Sequence, residues 1–133
     1  GGKNAGFTEG EPWFYVNENY HSVNVEAQEA DPDSLLNFYR ELIAFRKSEP
    51  VILRGSYSEL LLQSPNFYVY CREYESRKIL VIASLVAKET YFTCPEGFNL
   101  ADGELIFKNH DLNVCVNNAF TARPYELRVY LFE

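Results

Sequence analysis

Phe67-Tyr68-Val69-Tyr70-Cys71-Arg72-Glu73-Tyr74, then Glu75-Ser76-Arg77, then Lys78-Ile79-Leu80-Val81-Ile82-Ala83-Ser84-Leu85-Val86 is the stretch that decides the fold. Its first part alternates Phe67, Val69 and Cys71 against Tyr68, Tyr70 and Arg72. A period of two puts these sets on opposite faces of a strand. Glu75-Ser76-Arg77 reads as a turn. Residues 78–86 form the most apolar run of the chain and read as a central strand. Upstream, 51–53 and 57–62 are candidate strands separated by Gly55. Downstream, 89–94 is followed by the breaker Pro95-Glu96-Gly97, and 105–107 and 112–116 come next. The final run, 126–132, alternates Leu127, Val129 and Leu131 against Arg128, Tyr130 and Phe132. Seven or eight short strands with turn residues between them predict an antiparallel sandwich or barrel.

Before Pro50 the period is helical. Asp31-Pro32-Asp33-Ser34 is a start signal: Asp31 can cap free N–H groups, and Pro32 suits a first helical position. Leu35, Tyr39, Leu42 and Ile43 follow at helical spacing, with Leu36, Phe38 and Phe45 widening the stripe. Arg46 and Lys47 complement the negative end of the helix dipole, and Pro50 stops the helix. The prediction is a helix over 32–48. Residues 1–30 lack a sustained period and carry Phe7, Trp13, Phe14, Tyr15 and Tyr20 among glycines. They read as an extended loop lying on something, with a short extended piece at 23–25.

The chain has 133 residues, 47% of them hydrophobic and 16% aromatic, which suits a folded core rather than disorder. Ten Tyr and ten Phe favour strands. A net charge of −7 opposes nucleic acid and anionic membranes as partners. No apolar run approaches the roughly 18 residues of a membrane span. The opening Gly1-Gly2-Lys3-Asn4 is not a signal peptide, and the chain has no Met, so a segment from inside a longer parent is expected. Cys71, Cys94 and Cys115 are odd in number and far apart. They read as reduced, buried strand thiols of a cytoplasmic protein, not as a disulfide or zinc framework.

Three stretches carry a family likeness. The first holds Asn4-Ala5-Gly6-Phe7-Thr8, Pro12-Trp13, Val16-Asn17-Glu18-Asn19-Tyr20 and Val23-Asn24-Val25. The second runs from Asp31-Pro32-Asp33-Ser34-Leu35-Leu36 through Arg46-Lys47 to Pro50-Val51. The third is Arg123-Pro124-Tyr125-Glu126-Leu127-Arg128-Val129-Tyr130. Together they resemble the C-terminal part of the α-glucosidase branch of glycoside hydrolase family 13, the group of oligo-1,6-glucosidases, dextran glucosidases and trehalose-6-phosphate hydrolases. The resemblance implies a mainly β chain: an antiparallel β-sandwich, domain C of α-amylase-type enzymes, preceded by one α-helix and an extended N-terminal loop. Residues 1–50 would be the mouth loop and last helix of a (β/α)8 barrel, and 51–133 the sandwich.

Glycoside hydrolysis needs two carboxyl groups flanking the scissile bond. The family's catalytic motifs, a Gly-x-Arg-x-Asp-like strand end and a second strand end bearing Glu, do not occur here, so no catalytic residue is expected. Two strings imitate such motifs. Asn109-His110-Asp111 copies a sugar-holding string of the family but lies among the strands, and reads better as a polar turn. Gly103-Glu104 reads as a strand start. His21 and His110 are not spaced as metal ligands, and no metal or cofactor is expected. Phe7, Trp13 and Tyr15 could stack on sugar rings at the rim of the parent's active site. Anchoring the loop by apolar burial, worth roughly 1.5–3 kcal/mol per ring, is the favoured reading. The expected partner is the parent's catalytic barrel, with oligosaccharide reached only through it. Alone, the helix exposes more apolar surface than one seam can hide, which predicts self-association. The alternative is an independent carbohydrate-binding or protein-interaction sandwich, marked by an exposed aromatic platform such as Tyr68, Tyr70 and Tyr74.

Overall fold

Alternating side chains make the 67–86 stretch a hairpin, and other strands build outward from it. In the computed structural model, which describes residues 1–133, the strands in chain order are β1 (Ser56–Leu60), β2 (Phe67–Tyr74), β3 (Arg77–Ser84), β4 (Thr90–Thr93), β5 (Glu104–Lys108), β6 (Ala119–Ala122) and β7 (Leu127–Phe132). Five form one antiparallel sheet in the order β1-β2-β3-β7-β5, and β4 and β6 form a second. The chain therefore changes sheet at each step from β3 to β7. β3 is central, as its apolar run requires, pairing Val69 with Ile82 on one side and Leu80 with Tyr130 on the other. A bulge between Leu105 and Phe107 shifts the β5 register against β7.

The core lies between the two sheets. Phe67, Val69, Leu80, Ile82 and Tyr130 from the larger sheet meet Phe92, Phe120 and Ala122 from the smaller one, with Cys94 and Leu100. Phe92 contacts Phe67 and Phe120 with ring centroids 5.0 Å apart in each case. The opposite face of the five-stranded sheet also buries Ile79, Val81, Val129 and Leu131. On it, Arg72 donates from Nε to the Val51 carbonyl (3.2 Å) and from Nη2 to the Gly55 carbonyl (2.7 Å).

These bonds hold a helix where a strand was expected at 51–53. Pro50–Arg54 is helical, with Glu49 Oε1 accepting the Val51 N–H at 3.1 Å. Pro50 both ends the preceding helix and suits the first position of the next. Gly55 follows because a Cβ there would stand 2.3 Å from the Val51 carbonyl oxygen. Two further expectations fail. Residues 112–116 form no strand beyond a single bridge, Val116 to Ala119. β6 was not foreseen, because its turn is Asn117-Asn118 rather than a glycine pair. Both asparagines take left-handed φ, 50° and 61°, as a tight hairpin turn demands.

The turn into β7 is built on a buried ion pair. Glu126 Oε1 accepts from Arg128 Nε at 2.6 Å, and both side chains are 1% exposed. Glu126 Oε2 accepts the Arg123 N–H at 2.7 Å. The Arg128 guanidinium lies 3.4 Å from the centroid of the Phe120 ring. The Ser84 N–H donates to the Glu126 carbonyl (2.8 Å) and the Tyr125 N–H to the Val86 carbonyl (3.2 Å). Asn109 adds two bonds, donating to the Tyr125 carbonyl (2.9 Å) and accepting from the Leu127 N–H (2.7 Å).

The chain divides into two compact units, Gly1–Ser48 and Glu49–Glu133. The first holds short 3-10 turns at Lys3–Gly6 and Glu18–His21 and two helices, α1 (Val25–Ala30) and α2 (Leu35–Ser48); Pro50–Arg54 in the second is α3. Residues 23–25 are thus not extended: Asn24 caps α1, its Oδ1 accepting the Ala27 N–H at 2.9 Å. The long helix starts three residues later than predicted, and its cap is Ser34, not Asp31. Ser34 Oγ accepts the Asn37 N–H at 3.2 Å, while the Asp31 carboxylate accepts the N–H of Asp33, ahead of the helix. Gln28 Oε1 accepts a second free donor, the Leu36 N–H, at 3.0 Å. Asn37 Nδ2 donates to the carbonyls of Gln28 and Asp31, which fixes the α1–α2 corner.

Glu126→Ala is expected to lower unfolding stability by about 3–5 kcal/mol, because it leaves the Arg128 charge buried without its acceptor. Glu126→Gln keeps an acceptor and is expected to cost less. Urea denaturation compares the two, and equal midpoints for Glu126→Ala and the unaltered chain would show that the pair is not structural.

Candidate functional site

The aromatic loop is the first place where the residues could meet a sugar. Asn4 and Ala5 both adopt left-handed φ, 55° and 52°. This turns the Asn4 amide inward, where Nδ2 donates to the carbonyls of Thr8 (2.9 Å) and Gly10 (2.8 Å). Lys3 Nζ adds a bond to the Glu9 carbonyl at 3.2 Å. The loop over 3–10 is thus held by polar bonds, and its large rings are left outside. Phe7, Trp13 and Tyr15 are 85%, 89% and 80% exposed. Trp13 stacks on Phe14 with centroids 4.3 Å apart. Within this chain the three residues neither anchor the loop by burial nor converge on a shared pocket. Both roles considered for them need a surface that residues 1–48 do not supply.

A second aromatic group was only partly foreseen. Tyr68 and Tyr70 share the outer face of β2, and their rings lie 5.5 Å apart. The third member is Tyr57 from β1, with its ring 5.5 Å from Tyr70 and its hydroxyl 2.7 Å from that of Tyr68. Tyr74, the residue suggested by periodicity, sits at the hairpin end of β2, opposite Arg77. The Tyr57 phenol is pushed well above its ordinary range, first by its hydrogen bond to Tyr68.

The buried carboxylates and His110 have structural partners. Two glutamates are buried, Glu49 and Glu126. Glu49 Oε1 takes both the Val51 N–H and Arg77 Nη1, the latter at 2.8 Å, and Glu126 holds Arg128. Glu49 Oε1 and both carboxylate oxygens of Glu126 are thus engaged. His110 Nε2 lies 3.1 Å from the Pro124 carbonyl, so Asn109-His110 clasps the 123–126 turn. The His21 ring lies against Tyr20. No group of three or more His, Cys, Asp and Glu side chains is arranged to hold a metal. A cavity of about 280 Å³ opens at one end of the sandwich, lined by Asn99, Leu100, Ala101, Cys115, Asn117, Asn118 and Tyr130, with no carboxylate among them.

The thiols differ from expectation in one case. Cys71 and Cys94 are buried, but Cys115 is exposed because its segment forms no strand. Burial raises the Cys71 thiol, and burial together with the nearby Cys115 thiol pushes Cys94 up to about 11. No helix is long and apolar enough to cross a membrane.

A helical segment precedes an antiparallel sandwich whose two buried carboxylates are paired with arginines. The profile of the α-amylase catalytic domain matches residues 1–55. The probable oligo-1,6-glucosidase 2 of Bacillus subtilis is 39% identical over 132 residues, covering 99% of this chain. The trehalose-6-phosphate hydrolase of Escherichia coli is 48% identical over 125 residues, covering 94%. The crystal structure of Bacillus licheniformis trehalose-6-phosphate hydrolase superposes with a TM-score of 0.87 at 35% identity, covering 96% of this chain and 23% of that one. The chain belongs to glycoside hydrolase family 13, alongside oligo-1,6-glucosidases and trehalose-6-phosphate hydrolases. It spans 23% and 22% of the lengths of the two curated relatives.

Two observables report this arrangement. Trp13 is the sole tryptophan, so the chain's emission is expected to resemble that of free tryptophan and to be fully open to acrylamide quenching. A blue-shifted, protected emission would mean that another surface covers the loop. With an aromatic disulfide reagent, Cys115 is expected to react first and Cys94 slowest. Raising the pH towards 11 should speed Cys94 by increasing its thiolate fraction. Equal rates for all three thiols in the native chain would contradict the burial assignment.

Proposed function

We propose that this chain is the non-catalytic bracing part of an α-glucosidase that hydrolyses α-glucosidic bonds, α-1,6 among them, in short oligosaccharides. Residues 1–50 act as the mouth loop and last helix of a catalytic barrel, and 51–133 as the sandwich that packs beside it. The observation that carries this reading is the fate of the buried carboxylates: Glu49 and Glu126 are both committed to structural arginines and backbone N–H groups. A general acid and a nucleophile must instead face a ligand across a cleft. The catalytic-domain match confined to residues 1–55 supports the same division.

The barrel is then the partner, and the oligosaccharide held by the barrel meets this chain at the rim, where Phe7, Trp13 and Tyr15 stand exposed. On its own the chain self-associates through the α2 stripe Leu35, Tyr39 and Ile43, which is half-exposed or more. Its free thiols suit a reducing, cytoplasmic setting.

The test is a graft. Exchanging the matching quarter of the Escherichia coli trehalose-6-phosphate hydrolase for this chain should keep hydrolysis within about tenfold of the host, a rise of at most about 1.4 kcal/mol in the barrier. Deleting that quarter should abolish both activity and soluble folding. A deleted host that remains fully active and stable would overturn the bracing role. Turnover of a chromogenic α-glucoside by the pure chain would overturn its non-catalytic character.

A further inference from the structure

Tyr57, Glu59, Tyr68 and Tyr70 lie together on the outer face of β1 and β2, where Glu59 is opposite Tyr70 in the register. Tyr57 is 49% exposed and Tyr68 38%. β1 is an edge strand of the sheet. The cluster is far in sequence from the aromatic loop and belongs to the other unit.

Its hydroxyls are bonded within the cluster. A phenol has one hydrogen to donate and lone pairs to accept with. The Tyr57 hydroxyl lies 3.4 Å from Glu59 Oε2, an acceptor only, and 2.7 Å from the Tyr68 hydroxyl. With Tyr57 donating to Glu59, Tyr68 must donate to Tyr57. Both phenolic hydrogens are then spent inside the cluster. What faces solvent is a set of acceptors, the Tyr68 oxygen and the remaining Glu59 lone pairs, beside aromatic faces.

Such a surface selects its ligand by chemistry. Stacking on the rings needs a flat, weakly polar face, and tyrosine combines that with a polar rim. The acceptors need a ligand rich in hydroxyl donors. A pyranose ring offers both: axial C–H groups on one face and hydroxyls around its edge. Phosphates and carboxylates bring only acceptors and negative charge; Glu59 repels them, and the Arg72 guanidinium opposite Tyr57 is turned to the Val51 and Gly55 carbonyls.

We infer that the Tyr57–Glu59–Tyr68–Tyr70 cluster is a binding site for one or two rings of a neutral oligosaccharide. The site lies wholly within residues 49–133. It anchors sugar without transforming it, since the cluster lacks a second carboxylate to act on a glycosidic bond.

Titration of the full 133-residue chain with isomaltotriose, followed by calorimetry and by NMR of the tyrosine ring protons, tests this. Saturable binding with Kd in the range of about 1–10 mM is expected, with shifts at Tyr57 and Tyr68. Tyr68→Ala should weaken it at least about tenfold. Tyr68→Phe and Glu59→Gln, which leave the ring stack in place, should weaken it by about two- to fivefold and guard against misfolding of the alanine variant. Trp13→Ala should leave it unchanged, and glucose 6-phosphate should not compete. No shift at 50 mM isomaltotriose, a concentration about fivefold above the upper expected Kd, would sink the proposal. So would binding abolished by Trp13→Ala but untouched at Tyr68, capture of tetramethylammonium in place of sugar, or a dimer formed through the β1 edge that leaves sugar unbound.

Discussion

A single buried ion pair sets the geometry of the sandwich unit. Removing Glu126 and Arg128 from water costs several kcal/mol for each charge, and their attraction offsets this only when the remaining polar atoms are well placed. Here they largely are. Glu126 spends one oxygen on Arg128 Nε and the other on the Arg123 N–H, and its carbonyl takes the Ser84 N–H. The turn over 123–126 can therefore sit in one way only. That places β7 beside β3 and brings the Arg128 guanidinium onto Phe120, which belongs to the other sheet. One charged side chain thus ties together two layers that are otherwise joined by apolar contact. Arg128 Nη2 and Ser84 Oγ remain buried without partners in the chain, so the pair is a constraint on geometry more than a source of stability.

The pair also explains why the ending Arg123-Pro124-Tyr125-Glu126-Leu127-Arg128 reads as a signature. Pro124 fixes φ at one turn position, while Tyr125 takes a left-handed φ of 55° that a tyrosine holds only when its neighbours impose it. Its N–H bonds Val86 and its carbonyl takes the Asn109 amide. The string Asn109-His110, which imitates a sugar-holding motif, is half of this clasp. Its polar atoms face backbone, and the resemblance of three letters carries no chemistry with it.

Long periodic segments were legible in the sequence because a single force dominates each. The hairpin 67–86, the 126–132 strand and the body of α2 all announce their buried faces by spacing. Where two uses of one residue compete, the reading failed. Pro50 can stop a helix or begin one, and here it does both. Asp31 and Ser34 can each cap a helix, and the choice fell to Ser34, whose hydroxyl also bonds the Gln28 carbonyl in the preceding helix. β6 is four residues long, too short to show a period, and its turn uses two asparagines in place of glycine. The candidate sites follow the same logic. Tyr68 and Tyr70 were visible from alternation within one strand. Tyr57 was not, because its place beside them depends on the β1–β2 register, which no single strand encodes.

The two units differ in what keeps them ordered. Residues 49–133 own an apolar core that spans both sheets. Residues 1–48 contain one buried residue, Ser34, and it is polar. Their order rests on caps, the Asn37 and Gln28 bonds at the α1–α2 corner, and the Arg40–Glu29 pair, which is half exposed and of little worth. A 14-residue helix and a six-residue helix are marginal alone, since nucleation is costly and packing supplies most helical stability. Meanwhile Leu35, Tyr39 and Ile43 recur at intervals of four on one side of α2, all half-exposed or more. An apolar stripe with no core of its own is what a segment shows when its cover is another surface. The α-amylase catalytic-domain match falls on this same segment, and it stops at residue 55, where α3 has handed the chain to the sandwich. The part of the sequence that resembles a catalytic domain is thus the part without an apolar core of its own, and the part with such a core is the one whose two buried carboxylates are paired with arginines.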